Sequence, residues 1–203
     1  MFDEAARKWD LNGRRLKVAT DMAETLRERR ELNDSVDAME FGCGTGLACS
    51  MLAGELKSIT AVDFSSGMVE KAGERIRNER ITNVEVECID LMHEDYDKRF
   101  DLIYTCMTMH HIKDIPLILS KLHGLLREKG KIAVIDLEKE DGSFHRDDEK
   151  IEHRGFEPSV FCSLMKDAGF RAPEYYRSGF IERYNEDGVK RGDYPFFLIM
   201  ASA

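Results

Sequence analysis

The 203-residue sequence is short of several things, and each shortage excludes a class of protein. It has four prolines and no low-complexity tract, which argues against a disordered chain. Its longest apolar run covers residues 196–201, far below the roughly 18 residues a membrane-spanning helix needs. The opening stretch MFDEAARKWD has no apolar segment like that of a secretory leader, so a cytoplasmic protein without a membrane span is expected. Positive charge is in deficit, with 30 Lys and Arg against 39 Asp and Glu and a net charge of −9. The basic runs at Arg27, Arg29 and Arg30 and at Arg75, Arg77 and Arg80 are interleaved with glutamates. They read as solvated helix faces, and nucleic acid, which needs an unbroken basic stripe, is not an expected partner. The five cysteines are odd in number and form no CxxC pair, so reduced, mostly packed thiols are expected, with no disulfide frame and no metal site.

What is present is a hydrophobic fraction of 42%, enough for one core and one domain over 1–203. Apolar residues at Leu16, Ala19, Met22, Ala23 and Leu26 predict a helix over 14–31. From residue 36 strands and helices alternate: strands at 36–41, 59–64, 83–89, 100–106 and 132–137, and helices at 47–56, 67–79 and 114–126. Ser65 or Ser66, and Asp114, stand as helix caps, and Lys129 with Gly130 is expected to end the last of these helices. Connections of this length imply crossovers and a parallel sheet covered on both faces. The rhythm breaks at 138–156, which holds seven acidic and four basic residues and few apolar ones, and reads as a mobile or functional loop. A helix follows at 158–168. The β-leaning runs 173–181 and 194–200 have no helix between them and predict a hairpin with one strand antiparallel to the rest.

The chemistry concentrates at Asp37-Ala-Met-Glu40-Phe-Gly42-Cys43-Gly44-Thr-Gly46. Glycines at a strand-to-helix turn let the backbone fold tightly and let a ligand approach closely. A dinucleotide fingerprint wants G-x-G-x-x-G, but here the spacing is G-x-G-x-G and Leu47 fills the third glycine's place. Glu40, two residues before the first glycine, suits a cationic ligand better than a pyrophosphate. Asp63 ends the second strand, where a carboxylate can accept from ribose hydroxyls. Asp90 ends the third, where it can accept from an exocyclic amine or simply cap the strand.

In these motifs the sequence resembles the class I S-adenosylmethionine-dependent methyltransferases, in particular the small-molecule branch that includes ubiquinone- and menaquinone-biosynthesis-type enzymes. The resemblance covers 35–137 by motif and 155–200 by topology. It implies an α/β, Rossmann-like, doubly wound sheet of seven mostly parallel strands, with one antiparallel strand from a C-terminal hairpin and helices on both faces. It implies S-adenosylmethionine as cofactor, S-adenosylhomocysteine as product and a small-molecule acceptor. Residues 1–34 would then be a helical cap, 35–137 the cofactor core, and 138–203 a lid loop, helix and hairpin. Glu40, Gly42, Cys43, Gly44 and Gly46 would wrap the methionine part, Asp63 the ribose, Phe64 and Met68 the adenine flank, and Asp90-Leu91 the adenine amine. Cys106 would end strand four near the sulfonium.

For catalysis His110, His111, Asp136, His145 and His153 are candidates. The first three lie at the sheet's C-terminal edge, where open α/β sheets bind ligands, and the last two lie in the long loop. Each has a plainer alternative as a cap, an orienting group or a surface histidine. Trp9, the only tryptophan, could cover the cofactor or pack on the sheet's flank. A non-catalytic S-adenosylmethionine-binding module and a nicotinamide-linked oxidoreductase remain alternative functions.

Overall fold

The computed structural model describes residues 13–29, 31–145, 151–184 and 189–203. Seven strands form one sheet: β1 (Asp37–Phe41), β2 (Ser58–Asp63), β3 (Val84–Cys88), β4 (Phe100–Cys106), β5 (Leu126–Leu137), β6 (Arg171–Tyr184) and β7 (Lys190–Ser202). Their spatial order is β3-β2-β1-β4-β5-β7-β6. β1 to β5 are mutually parallel, and β7 runs antiparallel between β5 and β6. The order reverses between β1 and β4, so the crevice above their C-terminal ends is where a ligand is held in such sheets.

Five helices cover the sheet: α1 (Gly13–Glu28), α2 (Leu47–Leu52), α3 (Ser66–Asn78), α4 (Ile115–Gly124) and α5 (Pro158–Asp167). On one face α1, α2 and α3 bury Met22, Leu26, Leu52 and Ile76 against Leu102 and Tyr104. On the other, α4 and α5 bury Ile118, Leu122, Phe161 and Met165 against Ile103, Val134 and Phe197. At about 25 cal/mol per Å² of apolar surface, these two cores are the main favourable term in folding. Both expected caps form: Ser65 accepts the Met68 N–H at 3.3 Å and Asp114 the Leu117 N–H at 3.0 Å.

Two expectations about local structure are corrected. The fourth helix ends at Gly124, and Lys129 and Gly130 fall inside β5, which starts at Leu126. Leu126 pairs with Phe100 before the register shifts, and Lys129 takes the irregularity at φ 67°. Residues 138–156 are not free of structure where they are described. Lys139 N–H donates to Phe156 O at 2.9 Å and Glu140 N–H to Arg154 O at 3.0 Å, and Phe144 and Phe156 are buried anchors. The last β5–β7 pair is Leu137 with Phe196, and β6 and β7 continue together past the C-terminal end of β5 to Tyr184 and Lys190.

Candidate active site

The glycine turn is shaped by its own backbone. Gly42, Gly44 and Gly46 take φ of 73°, 53° and 76°, a region that costs other residues about 1 kcal/mol or more. Gly42 and Cys43 both donate to Val62 O, at 2.9 and 3.0 Å, which clamps the turn to β2. A Cβ on Gly42 would lie 2.3 Å from Thr108 Cγ2, so the turn also presses on the segment after β4. Thr108 answers with a hydroxyl bond to Gly42 O at 3.3 Å. From α3, Arg75 Nε donates to Thr45 O at 3.1 Å, while Ala72 packs under Gly46.

Asp63 joins this turn directly: one carboxylate oxygen accepts from Gly44 N–H and the other from Ser65 N–H, each at 2.9 Å. Phe64 beside it is 57% exposed, an apolar plate at the rim. Met68 and Leu91 lie in the core, at 1% and 3% exposure, so each supports the rim from beneath. The Asp90 carboxylate caps its own turn, accepting from Met92 N–H at 2.9 Å and pairing with His93 Nδ1 at 2.7 Å. Of the five cysteines, Cys43 and Cys49 are buried, Cys106 and Cys162 are half-buried and pack against the two cores, and only Cys88, on β3, is exposed, as expected of mostly packed thiols. Burial pushes the Cys106 thiol far above its ordinary range, so it stays protonated.

Glu40 is the buried acid of the site, 2% exposed. The Tyr104 hydroxyl donates to it at 3.3 Å from the neighbouring position on β4. Desolvation pushes its carboxyl up to about 8, against hydrogen bonds from Cys49 and Tyr104 that lower it. A buried acid with no cation paired to it among the described residues, a cradle that a Cβ would fill and a carboxylate at the next strand end fit a cationic, ribose-bearing ligand.

The second cluster stands above β4 and β5. His110 Nδ1–H donates to Asp136 Oδ1 at 2.7 Å, and the His110 backbone N–H donates to Asp136 Oδ2 at 3.2 Å. His110 and Asp136 are 2% and 0% exposed. The rings of His111 and His145 lie 4.1 and 5.0 Å from that of His110. The returning loop is tied to the same turn, with Glu152 and His153 N–H both donating to His110 O at 3.0 Å. His153 turns its Nε2 to Ile112 O at 2.9 Å, a backbone bond that pins the loop, and its ring packs on Phe156 at 5.1 Å. Four of the five catalytic candidates therefore meet, and His153 stands beside them. Trp9 lies outside the described residues.

Sequence reasoning missed Tyr104, Thr108 and Phe144. Tyr104 was within reach, because strand alternation puts it on the same face as Glu40 once β1 and β4 are neighbours. Phe144 links His145, at 4.8 Å between rings, to Tyr194 of β7, at 5.2 Å, and nothing in the local sequence signals that contact.

Residues 38–130 match the protein family described as "Methyltransferase domain". An uncharacterized methyltransferase of Schizosaccharomyces pombe is 32% identical over 152 residues, covering 67% of this chain and 54% of that protein. A malonyl-[acyl-carrier protein] O-methyltransferase of Acetivibrio thermocellus is 31% identical over 136 residues, covering 65% and 46%. The chain thus spans about half the length of these curated relatives. A solved S-adenosylmethionine-dependent methyltransferase from Aquifex aeolicus shares the fold at a TM-score of 0.72 and 19% identity, over 98% of this chain and 97% of that one.

Proposed function

We propose that this chain, which belongs to the class I S-adenosylmethionine-dependent methyltransferases, moves the methyl group of its cofactor to a small-molecule acceptor held above β4 and β5. The observation that carries the reading is the buried Glu40 beside three left-handed glycines and Asp63, on adjacent strand ends. When bound, S-adenosylmethionine supplies a methyl carbon already activated by a sulfonium, so no covalent enzyme intermediate is required. Glu40 faces the ligand's ammonium, and Asp63 accepts from the ribose while holding Gly44. The turn at 106–111, at the end of β4 beside the glycine turn, would line the space for the acceptor. Orientation of an acceptor toward the methyl carbon is worth about 7–11 kcal/mol in favourable cases.

The His110–Asp136 pair fixes that turn. Asp136 holds the Nδ1–H tautomer, which leaves the other ring nitrogen able to take the proton of a hydroxyl or amine acceptor. Such a base contributes about 10²–10⁴-fold, and an acceptor that is already a carboxylate gains nothing from it. Five free cysteines suit a reducing compartment such as the cytoplasm. No described helix is long and apolar enough to cross a membrane.

Calorimetry with S-adenosylmethionine and S-adenosylhomocysteine tests the cofactor half. Both should bind, and Asp63→Ala should weaken binding by about 1–3 kcal/mol, because a charged acceptor of ribose hydroxyls is removed. No heat and no thermal shift with either ligand would defeat the reading. Transfer of a labelled methyl group into a small-molecule extract tests the acceptor half, and label appearing only in protein would defeat it.

A further inference from the structure

Glu40 sits in a pocket made by five elements, and each neighbour can be named. From β4 come the Tyr104 hydroxyl, at 3.3 Å, and the Cys106 thiol. From α2 come the Cys49 thiol and backbone N–H. The glycine turn brings the Cys43 thiol, and the end of β2 brings the Asp63 carboxylate. On α3, Arg75 acts on the Cys49 thiol and gives its Nε–H to Thr45 O at 3.1 Å and its Nη1 to Glu79 at 3.2 Å. Among the described residues, the groups beside Glu40 are thus a hydroxyl, thiols, an amide and another acid. Glu40 makes no ion pair among the described residues. Asp63, a charged neighbour among the described residues, repels a negative charge there. An ionised carboxylate in such a place lacks both water and a counter-ion, which is the costliest way to bury it.

We propose that Glu40 gives up its carboxyl proton each time S-adenosylmethionine or S-adenosylhomocysteine binds, so that the site exchanges one proton for one ligand ammonium. The inference rests on the cofactor reading above. Before binding, Glu40 carries its own proton and the ligand's ammonium carries its protons. Afterwards the carboxylate faces the ammonium, and the Glu40 proton has passed to the solvent. No bond of the ligand breaks. The carboxyl's elevation to about 8 means that the exchange spans the neutral range. Affinity then falls by about tenfold for each pH unit of acidification below neutrality. Both forms of the cofactor bear the ammonium, so the same exchange runs backwards at product release: reprotonation of Glu40 helps S-adenosylhomocysteine to leave.

The test is calorimetry on the full chain near pH 6.5, in buffers of widely different ionisation enthalpy. Three ligands are compared: S-adenosylmethionine, S-adenosylhomocysteine and 5′-methylthioadenosine, which has the nucleoside and thioether but no ammonium. The expected result is release of close to one proton with the first two and close to none with the third. Glu40→Gln should abolish the release and make the Kd for S-adenosylhomocysteine independent of pH. Tyr104→Phe keeps the acid and should keep the release. Buffer-independent enthalpies for S-adenosylhomocysteine would overturn the proposal, as would equal release with 5′-methylthioadenosine or release that persists in Glu40→Gln. Should Glu40→Gln fail to fold, the three-ligand comparison on the unaltered protein decides by itself. No heat with any of the three ligands is a different failure, that of the cofactor reading.

Discussion

On the β1–β2 side of the crevice the machinery comes from a single strand–turn–helix–strand unit. Backbone groups do most of the holding: Gly42 and Cys43 N–H on Val62 O, and Gly44 N–H on Asp63. On the β4–β5 side, side chains from four separate segments have to meet. His110 follows β4, Asp136 is near the end of β5, His145 comes from the loop after it, and Tyr194 comes from β7 by way of Phe144. The first side is fixed by short-range geometry and the second by tertiary packing. One kind of substitution should therefore act differently on the two. Gly42→Ala places a methyl group 2.3 Å from Thr108 at φ 73°, and should cost about 2–4 kcal/mol in urea melts and abolish cofactor binding. Gly155→Ala, at φ 69°, meets Glu138 O at 2.2 Å, a clash no less severe, but in the loop. It should open the pairing of 138–140 with 154–156 and leave the cofactor Kd within about threefold. Loss of cofactor binding in Gly155→Ala would erase the distinction between the two sides.

A second contrast concerns the two buried acids. Among the described residues Glu40 has no oppositely charged partner, whereas Asp136 is held by an imidazole and two backbone N–H groups. With its carboxyl raised to about 8 in the folded state from an ordinary 4.5, Glu40 binds a proton more tightly folded than unfolded. Its contribution to stability is therefore complete below about pH 4.5 and is lost as pH rises through about 8. Ligand-free protein should lose about 3 kcal/mol from this group between pH 5 and pH 8, and Glu40→Gln should remove that part of the slope. The neutral variant should thus be the more stable protein at pH 8 and the weaker cofactor binder. Asp136→Asn should do the reverse, costing about 1–2 kcal/mol by thermal melts while the cofactor Kd stays unchanged. An Asp136→Asn protein as stable as the parent would reduce the His110 contact to an incidental one.

The same contrast explains what could be read in the sequence. Spacing alone carried the glycine turn, Asp63 and the caps at Ser65 and Asp114, because each depends on residues a few positions apart. The parallel sheet followed from connection lengths, and an antiparallel strand from the helix-free link between the last two β-leaning runs; the strand order came only with the structure. The His110–Asp136 bond was not legible, since both residues read equally well as strand-end caps and only the β4–β5 register brings them together. Met68 and Asp90 occupy the expected strand-end region, yet Met68 packs in the core and the Asp90 carboxylate closes its own turn. Segment 138–156 misled because its charge hides two anchors, Phe144 and Phe156, whose burial depends on β7 and α5.

That hidden anchoring carries the smallest expected effect, and it concerns how far the two sides are coupled. The loop touches the hairpin through Phe144 and Tyr194, and through Ser143 Oγ and Tyr194 OH at 2.6 Å. It touches the β4 turn through His110 O. That turn in turn presses on Gly42 through Thr108. A ligand that stiffens the glycine turn therefore has a packed route to the loop, and from the loop to β7. With S-adenosylhomocysteine added, amide exchange should slow most in 42–46 and less in 138–145 and 151–156. It should slow slightly in 190–196, by about twofold to fivefold, since the chain there already opens only partially. β3, at the far edge of the sheet, should show no change beyond the end next to Asp63, and it is the internal control. Slowing confined to 42–46 would mean that the two sides act independently despite their contacts. Equal slowing in the loop and in the glycine turn would mean that the loop closes on the ligand itself.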